Sequence, residues 1–377
     1  MKKIWLSSPD MEGHEIENVI DAFKKNQVFP LGEYVNLFED KILKSIRLEK
    51  GFSLALNSGT SAIHLALKLC GISKDDEVIC SSFTFSASAN PILYEGGIPV
   101  FVDSETETWN MCPKLLEKCI ESRISQGKKP KAIILVHLYG MPAKLEEILE
   151  VANYYEIPVI EDAAESLGSL YDGRQTGTFG DYGIFSFNGN KIITTSGGGM
   201  LITKSEKSRN LALKFATQSR EPVIWYEHTQ VGYNYRLSNI SAAIGVGQLD
   251  VLSKRVNKRR KIFETYYEEL KHLNGINFQT EPNSKFFSNH WLTALTSESK
   301  NMNPTLINFL NQFNIETRPL WKPMHLQPIF KKYLVFSEGN SEMLFNTGIC
   351  LPSSSLLTEK EQDFVIEKIK EWFLKTH

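Results

Sequence analysis

The chain has 377 residues, a formal net charge of −2, and 42% hydrophobic against 23% charged residues. That length suggests two domains, and the composition supplies a large buried core and argues against disorder. The charge balance argues against nucleic acid as the main partner. No apolar run reaches signal-peptide or membrane-spanning length, and five scattered cysteines without metal-type spacing point to a reduced, cytoplasmic protein that binds no metal.

Residues 14–25 carry Ile16, Val19, Ile20 and Phe23 at helical spacing, and residues 34–48 carry Val35, Phe38, Ile42 and Ile46 likewise. Between them lies a loop punctuated by proline and glycine, Asn26-Gln27-Val28-Phe29-Pro30-Leu31-Gly32. From residue 52 short apolar runs alternate with helical patterns. Strands are expected at 52–56, 77–81, 98–102, 131–136, 157–161, 183–187 and 200–203. Helices are expected at 60–70, 85–94, 113–122, 144–155 and 204–216. This alternation predicts an α/β fold with a mixed, mainly parallel seven-stranded sheet covered by helices on both faces. In such sheets ligands sit beyond the carboxyl ends of the strands.

The loops at those ends carry the chemistry. Asn57-Ser58-Gly59-Thr60 precedes a helix, so its amide groups either cradle a phosphate or simply cap the helix. Ser82-Phe83-Thr84-Phe85-Ser86 sets an aromatic ring at the rim or in the core. Glu161-Asp162-Ala163-Ala164-Glu165-Ser166 places a carboxylate directly after a buried strand, where it needs a cation. Ser186-Phe187-Asn188-Gly189-Asn190-Lys191 delivers an amine on a short loop, followed by Gly197-Gly198-Gly199. Lys191 is either a solvated turn residue or a nucleophile for a carbonyl. The glycines permit close approach of a partner subunit or substrate. Each feature is ambiguous alone. Together they are the set pyridoxal 5′-phosphate requires: a lysine for its aldehyde, a carboxylate for its pyridinium nitrogen, an aromatic ring to stack on, and amides and hydroxyls for its phosphate.

Gly232-Tyr233-Asn234-Tyr235-Arg236-Leu237-Ser238-Asn239 leads into a long helix expected to run to about residue 273. Ala242, Ala243 and Gly245 allow close packing near its start. Residues 251–377 read as a smaller α+β domain after a large domain spanning 1–250. Strands are expected there at 290–295 and 315–319, and helices at 304–313 and 359–374. The stretch Arg318-Pro319-Leu320-Trp321-Lys322-Pro323-Met324-His325 suits an anionic, partly aromatic ligand such as a nucleoside diphosphate, or a rigid surface loop.

On these motifs, together with Pro30-Leu31-Gly32, His137-Leu138-Tyr139-Gly140 and Gly180-Asp181, the chain resembles the DegT/StrS family of pyridoxal-phosphate sugar aminotransferases over nearly its whole length. Within the family it is most similar to the bacillosamine-type branch, which aminates a UDP-linked N-acetyl sugar. The resemblance implies a type I aminotransferase fold and a homodimer with shared active sites. L-glutamate would be the donor, leaving as 2-oxoglutarate, and a nucleotide sugar the acceptor. Lys191 would bond the cofactor, Asp162 would pair with its ring nitrogen and Phe85 would stack on it. Gly59, Thr60 and Ser186 would hold its phosphate, with Asn234 reaching in from the other subunit. Asn26, Gln27, Val28, Phe29, Arg236, Arg318, Pro319, Leu320, Trp321 and His325 would meet the sugar nucleotide. Many relatives carry glutamine where this chain has Glu165. That carboxyl would either contact the cofactor's ring oxygen or keep it protonated.

Overall fold

The computed structural model describes residues 2–298 and 302–376. The seven expected strands form at β1 (Phe52–Leu56), β2 (Glu77–Ser81), β3 (Ile98–Val102), β4 (Ala132–Val136), β5 (Val159–Asp162), β6 (Tyr182–Ser186) and β7 (Gly199–Thr203). They lie in the order β1-β7-β6-β5-β4-β2-β3, and an eighth strand, Val335–Phe336, adds in parallel to β3. Only β7 runs antiparallel to its neighbours. The carboxyl ends of β1, β2, β4, β5 and β6 therefore share one edge of the sheet. The two-residue eighth strand has no periodic signature, and the sequence did not announce it.

Helices α1 (Glu15–Lys24), α2 (Glu33–Ser45), α3 (Gly59–Leu69), α4 (Asn90–Tyr94), α5 (Pro113–Ser125), α6 (Leu145–Tyr154) and α7 (Glu206–Ala216) fill the expected places. The 85–94 segment begins as a 3-10 turn, Ser86–Ser88, before α4. The long helix after residue 238 is broken. α8 (Asn239–Asp250) ends at Val251, whose φ of −110° and ψ of 6° leave the helical region, and α9 (Leu252–Leu270) starts anew. The apolar pattern continues through the break, which is why the two read as one. α8 packs against both α1 and α2. A Cβ on Gly245 would fall 2.6 Å from the Phe38 ring, and one on Gly247 would fall 2.7 Å from the Glu15 amide nitrogen. No larger residue fits these crossings.

Beyond α9 a four-stranded antiparallel sheet forms from Ile276–Phe278, Thr293–Ser297, Gly348–Leu351 and Arg318–Pro319. α10 (Met302–Asn311), α11 (Asn340–Thr347) and α12 (Glu359–Thr376) accompany it. A core of Tyr266, Leu295, Leu310, Ile349 and Val365 unites sheet and helices. The proposed domain division at 250/251 falls at the helix break. Two segments cross it: Ile4 joins the C-terminal core and bridges to Ile315, and Val335–Phe336 returns to the large sheet. Among the described residues no helix is long and apolar enough to cross a membrane, and no cluster of side chains suits a metal ion.

Candidate active site

Five loops at the carboxyl edge of the sheet enclose a recess of about 310 Å³. Gly59, Thr60, Phe85, Asp162, Glu165, Ser186, Lys191 and Trp321 all line it. The ambiguity of each motif is thereby reduced by position. Ser58 does cap α3, its hydroxyl accepting the Ser61 amide at 3.0 Å. That leaves the earlier amides of the helix, at Gly59 and Thr60, on the recess wall at the positive end of the helix dipole. A Cβ on Gly59 would sit 3.1 Å from Ser186 Cβ, so glycine there keeps the wall open beside the Ser186 hydroxyl.

Asp162 ends β5 and is buried. Its Oδ2 accepts a hydrogen bond from Ser88 Oγ at 2.7 Å, and its Oδ1 accepts one from the Ala164 amide at 3.2 Å. Because Ser88 gives its proton to Asp162, Thr84 Oγ1, 2.7 Å from Ser88 Oγ, is the donor in that second contact. Both donors to Asp162 are neutral. Burial consequently pushes its carboxyl above the ordinary 3.8, although Ser88, Ala164 and Lys191 pull the other way. Behind it, the Ala143 amide donates to His137 Nδ1 at 3.1 Å, so the proton resides on Nε2 and is given to Glu161 at 3.0 Å. Burial pushes the Glu161 carboxyl up, but His137 and the amides of Gly180 and Gly177 outweigh it, and Glu161 stays below its usual range.

Lys191 Nζ lies 3.3 Å from Glu165 Oε1 and 4.0 Å from the centre of the Trp291 indole. Glu165 Oε2 accepts the Tyr139 amide at 2.7 Å. Burial raises the Glu165 carboxyl, with Lys191 opposing. Tyr139 stacks between Trp291 and Trp321, at centroid distances of 6.4 Å and 6.1 Å. Its hydroxyl accepts the Trp321 amide at 2.8 Å. Phe85, half exposed, meets Trp321 at 5.3 Å over the mouth. Beyond this mouth a second chamber of about 720 Å³ is walled by Trp5, Ser7, Arg318, Pro319, Leu320 and Lys322 among others. It shares Phe85, Asn190, Trp291 and Trp321 with the recess, so the two form one cleft.

Several expected residues lie elsewhere. Arg236 is a correction. It is buried against Glu39 and the Ala55 carbonyl, behind β1, and does not line the cleft. Glu39 also accepts the Ala55 amide at 2.7 Å, so the pair ties α2, β1 and the approach to α8 together. Removal of one partner of a buried pair strands the other, typically at about 3–5 kcal/mol. Glu39→Ala is therefore expected to lower unfolding stability by about that much in urea titrations. His325 is the second correction: its ring nitrogens engage Ser82 Oγ at 2.6 Å and Glu342 at 3.2 Å, bracing the β2 loop from outside the cleft. Asn26, Val28 and Phe29 are exposed, and Asn239 holds their loop through Gln27 and Phe29 carbonyls. Asn234 is exposed. Its carbonyl accepts the Asn57 side-chain amide at 3.2 Å, beside the recess but not within its lining. Of the three glycines, Gly199 pairs within the sheet, and a Cβ there would meet the Ser58 backbone at 2.3 Å. It is the neighbouring loop, not a ligand, that demands close approach at Gly199. Gly197 and Gly198 do line the recess.

Sequence reasoning missed Trp291, Thr84 and Ser88. Trp291 sits at an expected strand start, where a buried aromatic signals only core. Ser88 lies on the 3-10 turn, where its hydroxyl direction is set by backbone geometry that spacing does not reveal.

The donor set fits pyridoxal phosphate on structural grounds. A buried carboxylate with only neutral donors invites a ring N–H⁺, a lysine stands in the same recess, and a helix N-terminus with a hydroxyl stands ready for a phosphate. Comparison with known proteins agrees. The profile of the DegT/DnrJ/EryC1/StrS aminotransferase family matches residues 9–370. A putative pyridoxal phosphate-dependent aminotransferase, EpsN of Bacillus subtilis, is 50% identical across 99% of this chain and 96% of its own. A GDP-perosamine synthase of Escherichia coli O157:H7 is 36% identical across 99% of each chain. The crystal structure of a DegT DnrJ EryC1 StrS aminotransferase from Brucella abortus superposes with a TM-score of 0.88 at 29% identity, covering 96% of this chain and 95% of that one. With a helix-flanked, mainly parallel sheet, a lysine and a buried aspartate in one recess at its edge, and a profile match over residues 9–370, the chain belongs to the DegT/DnrJ/EryC1/StrS aminotransferase family.

Proposed function

We propose that the protein transfers the amino group of L-glutamate to C4 of a UDP-linked 4-keto-6-deoxy-N-acetyl sugar, giving UDP-4-amino-4,6-dideoxy-GlcNAc. The observation that carries the reaction class is the convergence of Lys191, Asp162 and the α3 N-terminus on one recess that opens into a larger chamber. Pyridoxal phosphate is the cofactor; it serves as electron sink and carries the amino group between the two half-reactions. Gly59, Thr60 and Ser186 would hold its phosphate, Phe85 would cover its ring, and the Asp162 carboxylate, steadied by Ser88, would hold positive charge at the ring nitrogen. Lys191 Nζ is the amine that would bond the cofactor at rest. When released, it takes the proton from Cα of glutamate and returns one to C4 of the sugar in the second half-reaction. Glu165 keeps the freed amine within the recess.

Arg318, Lys322 and Trp321 sit on the outer chamber, where cations and an aromatic face suit a nucleoside diphosphate. The exposed segment 26–29 and Asn234 lie outside the chain's own recess, and we assign them to the recess of a second copy in a homodimer. The exposed apolar side chains of Ile16, Ile20, Phe23 and Leu31 support such a contact. Five free cysteines agree with a cytoplasmic setting.

A GDP-linked acceptor is the second reading, favoured by the perosamine synthase relative. Release of 2-oxoglutarate from L-glutamate with UDP-, GDP- and dTDP-linked 4-keto-6-deoxy sugars decides. The UDP sugar is expected to lead in kcat/KM by about tenfold or more. A lead for the GDP sugar would establish the second reading, and no keto acid with any acceptor would remove the reaction itself.

A further inference from the structure

Trp291 is held on every side. It is 1% exposed, its amide donates to Asn289 Oδ1 at 2.8 Å, and Arg259 donates to its carbonyl. Its ring stacks on Tyr139. Its indole Nε1–H donates to the Asn190 carbonyl at 2.7 Å. The same carbonyl accepts the Ser7 hydroxyl at 2.7 Å, and Ser7 in turn accepts from Arg259 at 3.0 Å. Asn190 immediately precedes Lys191. One rigid side chain thus fixes the backbone on which the lysine stands and offers its face to the lysine's amine, 4.0 Å away. Glu165 closes the other side at 3.3 Å. A core tryptophan needs neither contact.

We propose that Trp291 is a positioning residue for Lys191: its indole face receives the Lys191 ammonium whenever that amine is not bonded to the cofactor, while its N–H anchors the loop at Asn190. The inference rests on Lys191 being the cofactor lysine. In each catalytic cycle that lysine would be set free once, when L-glutamate enters, and recovered once, when the aminated sugar leaves. An amine released without a fixed seat would scatter among rotamers and meet the reacting carbon less often. The indole quadrupole attracts a cation but not a neutral amine. It therefore draws the Lys191 ammonium to a fixed seat beside Glu165, the carboxylate within reach to take its proton when the amine acts as base. No bond other than N–H and O–H changes in that transfer, and the proton count is conserved.

The test reads Lys191 directly. The holoenzyme is converted by L-glutamate to its pyridoxamine phosphate form, freed of keto acid, and exposed to potassium cyanate, which reacts with neutral amines. Carbamylation of the Lys191 peptide is followed by mass spectrometry at fixed pH. Trp291→Leu is expected to raise the rate roughly 3- to 10-fold, and Trp291→Phe, which keeps a face but loses the N–H, by less. Uniform replacement of tryptophan by a ring-fluorinated analogue keeps the shape and weakens the cation attraction, and is also expected to raise it. This second arm stands even where the leucine variant fails to fold. Unchanged carbamylation in the fluorinated protein, or a faster rate with leucine alone, would reduce Trp291 to a packing residue and overturn the proposal. The underlying reading fails separately: amino transfer surviving in Lys191→Ala would show that Lys191 is not the cofactor lysine.

Discussion

Lys191→Ala is expected to abolish transamination and to leave the cofactor bound only by its phosphate and ring contacts. Proton transfer by a positioned side chain is commonly worth about 100- to 10,000-fold. Lys191 should exceed that range, because in the proposed reaction the same amine both bonds the cofactor and moves the proton in each half-reaction. Its environment leaves no substitute: among the groups that line the recess, Lys191 is the lysine, and its neighbours are the carboxylates Glu165 and Asp162. Single-turnover release of 2-oxoglutarate from L-glutamate measures the loss without any sugar substrate. The folded state should survive, since Lys191 is only partly buried and its contacts are one carboxylate and one ring.

Asp162→Asn is expected to fold, to bind cofactor more weakly, and to turn over roughly 100- to 1,000-fold more slowly, the range seen when one preorganised electrostatic group is removed. Asparagine can still take the Ser88 hydrogen bond, but it cannot hold a positive charge at the ring nitrogen. The substitution also has a pH signature. In the cofactor-free protein burial raises Asp162 above its ordinary 3.8 and Glu165 above its ordinary 4.5. An acid with a raised folded-state pKa binds more protons folded than unfolded. Its favourable contribution is therefore present at low pH and is lost as pH climbs through the raised values. A cation bound at Asp162 removes much of that loss. Cofactor should then protect against thermal unfolding increasingly as pH rises above the ordinary carboxylate range, and Asp162→Asn should flatten this rise. Melting curves with and without cofactor from about pH 4 to pH 7 measure it.

The large sheet was legible because each of its seven main strands is a buried apolar run, and such runs between helical patterns admit few arrangements. The position of the recess followed from it, because parallel strands bring their carboxyl ends to one edge. Asp162, Lys191, Ser186 and Gly59 meet there although up to 132 residues of sequence separate them. What spacing could not supply was direction. Arg236 and His325 have the right chemistry for a phosphate, yet each is engaged by another carboxylate of the chain, the buried Glu39 and the half-exposed Glu342. Trp291 has the chemistry of core and is in contact with the Lys191 amine. The break at Val251 and the strand Val335–Phe336 escaped for a related reason: both are set by tertiary packing over a few residues and leave no periodic trace.

The most direct measurement is where the cofactor is bonded. The protein is loaded with pyridoxal phosphate, reduced with borohydride, digested, and its peptides weighed. The added mass is predicted on the peptide that contains Lys191, at one per chain, and absent after prior treatment with L-glutamate. A mass on any other lysine, or none on the resting enzyme, would contradict the assignment of this recess as the catalytic centre.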